Sequence, residues 1–222
     1  MRNITIIKTI SFVIALGACV YLIWGLGVSN LGLSDKERAK AAQIKGAQYS
    51  EQGKYDKAIA YFSKAAILDP SDSLSFYLRG RTYLDKRDCD NAIRDFTETL
   101  KLSPTYDQAL IGRATAFGMK GKDDDAEKDF TKAIELHPTA DAYNGRGFLY
   151  GKKGEHDKGI SDFSKSIEIR PSAFAYQHRA IAYYFKKDYN KAWEDEHKAE
   201  NLTSERNQEF ITELKKASGR DE

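Results

Sequence analysis

The sequence is poor in the residues that carry chemistry or staple small folds. Only two cysteines occur in 222 residues, Cys19 near the N-terminus and Cys89 far downstream. The stretch beyond residue 33 therefore has a single Cys and cannot close an internal disulfide, which leaves the redox compartment open. The four histidines, His137, His156, His178 and His197, have no ligand-like spacing to another His or Cys. No glycine-rich phosphate loop or nucleophile elbow is present. Asp123-Asp124-Asp125 lacks the alternation and glycine of a calcium loop, and reads as the opening of a helix, where carboxylates favour the N-terminal dipole. These absences leave no candidate catalytic residue, metal site or cofactor site, and the expectation is a protein that is not an enzyme.

An excess of one charge is also missing. Arg2 and Lys8 are the only charged side chains before Asp35, and the remaining 33 Lys and Arg are matched by 33 Asp and Glu. A neutral body lacks the surplus of cations that phosphate neutralisation needs, so nucleic acid is not the expected partner. With 41% hydrophobic and 31% charged residues, the composition is that of a folded domain and not of a disordered chain.

What is present begins with Ile10 to Val28, 19 residues without a charge. At about 1.5 Å per residue a helix of this length just crosses a hydrocarbon core of about 30 Å. The apolar run is longer than a cleaved signal requires, which favours an uncleaved transmembrane anchor over residues 1–33. An alternative is lipid attachment, because Leu16-Gly17-Ala18-Cys19 resembles a bacterial lipobox ending in the Cys to be acylated. The polar tether that usually follows such a Cys is replaced by Val20-Tyr21-Leu22-Ile23. Flanking charges are nearly balanced, with Arg2 and Lys8 on one side and Lys36, Arg38 and Lys40 on the other. A short basic leader before the first apolar helix is the usual signal-anchor arrangement. It places the soluble body on the non-cytoplasmic side of a single-pass protein, periplasmic if the source is bacterial.

Ser34-Asp35-Lys36-Glu37 then has the form of a capping box and marks a helix start. The scarce prolines are regular: Pro70, Pro104, Pro138 and Pro171 lie 34, 34 and 33 residues apart. Aligned on them, further columns appear. Small residues precede an aromatic by three positions at Gly46/Tyr49, Gly80/Tyr83, Ala114/Phe117, Gly147/Tyr150 and Ala180/Tyr183. Ala58, Ala92, Ala126, Gly159 and Ala192 form a second small column, followed four positions on by Phe62, Phe96, Phe130 and Phe163. Small residues let two antiparallel helices approach to roughly 8–10 Å while aromatics fill the seam. Proline stops the second helix. Each period is thus expected to be a helix–turn–helix hairpin, too small to bury its face without stacking on its neighbours.

These columns resemble the tetratricopeptide repeat family over about residues 39–206. The resemblance implies an all-α, right-handed superhelical solenoid in 34–203, with repeats at about 39–72, 73–106, 107–139, 140–172 and 173–203. Ala42 and Glu196 depart from the family pattern. Glu196 suits a terminal unit whose outer face meets water or a capping element. Phe210, Ile211 and Leu214 at helical spacing after Thr203-Ser204 predict a cap helix over 204–216 within a 204–222 cap and tail.

The family resemblance also implies a concave groove, lined by the first helices, that accepts a segment of a partner protein. Its positions fall here on Tyr77, Arg81 and Leu84, then Ile111, Thr115 and Met119. Asn144, Phe148 and Lys152 follow in the fourth repeat, and Gln177, Ile181, Tyr184 and Phe185 in the fifth. Such a lining suits a protein or peptide with apolar anchors. The paired Lys and Asn with which some family members clamp a C-terminal carboxylate are replaced by Gln43 and Ala47, or Tyr77 and Arg81. Arg79/Asp95, Arg113/Asp129, Arg146/Asp162 and Arg179/Asp195 recur at a separation of 16 and are expected to form a structural ladder of ion pairs.

Overall fold

The computed structural model describes residues 32–203 and 207–220. The transmembrane segment read from Ile10 to Val28, and Cys19 within it, lie outside those residues. Among the described residues, no helix is long and apolar enough to cross a membrane.

Eleven α-helices and no strands occur among the described residues. The first hairpin is α1 (Asp35–Glu51) with α2 (Tyr55–Leu68), and the second is α3 (Ser73–Asp85) with α4 (Cys89–Leu102). The third is α5 (Asp107–Met119) with α6 (Asp123–Leu136), and the fourth α7 (Ala140–Lys152) with α8 (His156–Ile169). The last is α9 (Ala173–Phe185) with α10 (Tyr189–Glu200), and α11 (Gln208–Ser218) packs on α10.

Local chemistry sets these boundaries. Ser34 and Glu37 close the expected capping box at the start of α1. Asp72, Thr139 and Ser172 accept backbone amides at the starts of α3, α7 and α9. Asp123, Asp124 and Asp125 occupy the first turn of α6, as the dipole argument predicts. Helix α11 begins at Gln208, later than the sequence suggested: Asn207 caps it through Phe210 N–H, and Gly219 ends it in the left-handed region.

All five hairpin turns pass through one residue with positive φ. Three use Gly53, Gly121 and Gly154, while Arg87 and Lys187 adopt the same conformation at φ 62°. A Cβ is strained there. Arg87→Gly and Lys187→Gly are each expected to raise stability by about 0.5–1 kcal/mol, the Cβ strain relieved being partly offset by glycine's greater loss of entropy. The denaturant midpoint measures it.

Phe62, Phe96, Phe130 and Phe163 are all buried, at 4% exposure or less. Each packs on the small residue of its own hairpin: a Cβ on Gly46 would stand 2.6 Å from Phe62, and on Gly80 or Gly147 3.1 Å from Phe96 or Phe163. A further glycine column emerges between hairpins. A Cβ on Gly112 would lie 2.5 Å from Phe96, and on Gly145 2.4 Å from Phe130. The rings of one hairpin therefore reach the inner helix of the next.

The Arg/Asp ladder forms as expected and also spans neighbours. Arg79, Arg113, Arg146 and Arg179 each bind their own hairpin's Asp through two bonds of 2.7–2.9 Å. A third bond goes back to a hydroxyl on the preceding outer helix: Ser63, Thr97, Thr131 and Ser164 in turn. The bidentate contacts hold the guanidinium groups of Arg79, Arg146 and Arg179 above their ordinary pKa against the opposing effect of burial.

Glu196, in the position of the missing fifth Phe, is fully buried and does not meet water. Ala192 and Trp193 of the same helix are covered by Ile211 and Leu214 of α11. The cap thus packs on the same helix α10 that carries this enclosed carboxylate.

Candidate functional site: the concave face

Neighbouring first helices touch one another directly along the array, α1 to α3, α3 to α5, α5 to α7 and α7 to α9, whereas the second helices make no comparable contact among themselves. The first helices are therefore on the inside of the bend. This is the wall on which the groove residues were placed.

The structure sorts those residues into three groups. Tyr77 belongs to the core. It is only 8% exposed and packs on Phe96 at 6.0 Å and Tyr106 at 4.8 Å, and burial raises its phenol pKa. Its expected place in an open groove is corrected: the loop before α5 brings Tyr106 over it. Leu84 and Ile111 are likewise half-buried in core clusters.

A second group is exposed but already engaged. Lys152 pairs with Asp123 of the preceding hairpin at 2.8 Å. Arg81 reaches over the Tyr77 ring at 5.9 Å, and the Thr115 hydroxyl donates to Ile111 O at 2.8 Å. Gln43, at a position that clamping relatives use for a carboxylate, instead donates to Asp72 and to Ser75 Oγ.

The remaining residues include the open apolar surface. Met119 is 45% exposed, Phe148 51% and Phe185 59%. Phe185 lies flat on His156 at 4.8 Å, and Tyr184 meets it edge-on at 5.6 Å. Ile181 and Gln177 are half-buried on the same helix. Asn144 presents a buried Oδ1 with no partner.

Sequence reasoning missed two members of this wall. Phe174 is 44% exposed, and His178 sits between it and Phe148. His178 occupies the column of Leu78, Gly112 and Gly145, and its departure from them was the available signal. The groove is thus polar and tied down towards its first hairpins and aromatic across the last two. No group of His, Cys, Asp and Glu among the described residues is arranged to hold a metal. The arrangement can bind by burial and hydrogen bonding.

Family models described as tetratricopeptide repeat match residues 39–72, 77–141 and 140–172. Among solved structures, MamA protein is similar at 30% identity, over 73% of this chain and 90% of that chain, with a TM-score of 0.64. The first TPR of Spaghetti (RPAP3), bound to an HSP90 peptide, matches at 27% identity over 55% of this chain and 98% of that one, with a TM-score of 0.53. PilF of Pseudomonas aeruginosa shares the fold with a TM-score of 0.75 at 14% identity, over 84% and 87% of the two chains. A sequence search of the curated proteins returns no match.

Proposed function

We propose, from the premise that the chain belongs to the tetratricopeptide repeat family, that it is a membrane-anchored scaffold holding a partner protein by its concave face. Repeats of this kind are protein-interaction modules and typically carry no catalysis of their own. The observation that carries the reading is the half-exposed aromatic surface of Phe148, Phe174 and Phe185 on the inner wall, where exposed apolar area is otherwise costly. That the similar first TPR of Spaghetti (RPAP3) is bound to an HSP90 peptide supports a polypeptide as the partner.

The anchor is the uncharged run Ile10–Val28, and the body stands on the non-cytoplasmic side. An anchor joined to a binding array without catalytic residues fits a role in assembling or stabilising a membrane or envelope complex. The partner brings apolar anchors and not a bare carboxylate, since the clamp positions read Gln43 and Ala47, or Tyr77 and Arg81, and Gln43 is engaged within the fold.

In a pull-down from solubilised membranes, Phe148→Ala with Phe185→Ala should cut partner recovery about tenfold or more. Ile67→Ala on the outer helix α2 should leave recovery unchanged. Retention by the double variant sinks the groove assignment.

A second reading rests on Leu16-Gly17-Ala18-Cys19: a lipoprotein acylated at Cys19, of the pilotin type that escorts secretion or pilus components. Intact mass decides. The anchor reading predicts an uncut N-terminus, and a chain beginning at residue 19 with acyl mass added replaces it with the lipoprotein.

A further inference from the structure

We infer that the concave face of the last two hairpins holds a subsite for one tryptophan or tyrosine side chain of the partner, its N–H or O–H donated to His178 Nε2. The inference rests on the groove reading above and narrows its occupant.

Three rings surround His178. Phe174 stacks on it at 3.9 Å, Phe148 meets it edge-on at 5.4 Å, and Phe163 lies tilted beneath at 5.8 Å. Nδ1 stands 2.8 Å from the carbonyl oxygen of Phe174. A carbonyl can only accept, so the proton of the neutral ring is on Nδ1 and Nε2 is left as an acceptor. Among the described residues Nε2 has no hydrogen-bond partner. Burial holds the imidazole pKa below its ordinary value, which keeps the ring neutral and Nε2 bare at neutral pH.

The chemistry of an occupant follows from what the site offers. Phe148 and Phe174, each about half exposed, offer two apolar faces. A partner carboxylate would find no donor on this tautomer. Charge is not offered either: Asp141 is matched by Arg170 at 2.5 Å, Lys152 by Asp123 at 2.8 Å and Lys186 by Asp157 at 2.5 Å. A flat apolar body with one donor is what remains, and indole and phenol both answer it. The equivalent positions of the other hairpins, Ile44, Leu78, Gly112 and Gly145, carry no acceptor. The subsite thus occurs once along the array and fixes the register of the bound segment.

The test is selection of a random displayed peptide library on the full chain in detergent micelles, read by sequencing. Tryptophan or tyrosine should be enriched at one position, and the enrichment should vanish with Phe148→Ala. In His178→Phe, which keeps a ring and removes the acceptor, the preference should shift to phenylalanine and leucine. Peptides that depend on Phe148 but show no such preference, or a preference unchanged in His178→Phe, overturn the subsite and leave the groove standing. The absence of any Phe148-dependent peptide overturns both. Circular dichroism matching the parent protein keeps lost binding distinct from lost fold.

Discussion

Phe96→Ala is expected to lower the stability of the array by about 3–5 kcal/mol, the range for truncating a fully buried aromatic. The ring is 0% exposed and lies between two glycines, Gly80 of its own hairpin and Gly112 of the next. Neither neighbour has a side chain that could move into the space. Refilling would have to come from the larger rings of the cluster such as Tyr77, 6.0 Å away, and the space opens at an interface between hairpins as well as inside one. Chemical denaturation should show the loss as a lower midpoint, with the slope unchanged if the array still unfolds as one unit.

Asp162→Ala should cost about 3 kcal/mol, for a different reason. Its side chain is 6% exposed and receives two bonds from Arg146, whose guanidinium also reaches back to Thr131. Removing the carboxylate leaves a mostly desolvated cation with one neutral partner. Because Arg146 keeps 17% of its side-chain surface, the cost falls at the lower end of that for fully buried pairs. Replacing both partners by leucine should recover most of the loss, since the pair's attraction is largely offset by the desolvation of its charges. If the single and double changes cost the same, the ladder contributes only through packing.

The repeat was legible because each column has one local cause. Proline stops an outer helix, an alanine or glycine admits the facing backbone, and phenylalanine fills the seam four positions later. These relations operate inside one period, and alignment of the sequence with itself exposes them. Relations between periods were less legible. Tyr77 reads as a groove residue by position, yet the ring that covers it, Tyr106, belongs to the next connection. Gly112 and Gly145 look like ordinary gaps until Phe96 and Phe130 are seen reaching into them. Glu196 fits either water or a capping element by residue type, and its full burial on the helix that carries the cap was not legible. The arginine ladder was legible as a within-hairpin pair, while its hydroxyl partners on the preceding hairpin were not.

The aromatic end of the groove follows from the same distinction. Phe148, Ile181 and Phe185 were assigned by position, whereas Phe174 and His178 enter through contacts that join α7, α8 and α9. A site assembled from three helices is spread over the sequence in pieces that have no meaning singly.

Photo-crosslinking in native membranes tests most directly whether the inner wall is where another polypeptide sits. A photoreactive amino acid at position 148 should give a discrete protein adduct. The same group at position 67, where Ile67 is 78% exposed on α2, should give none. An adduct from position 67 with nothing from 148 would contradict the account.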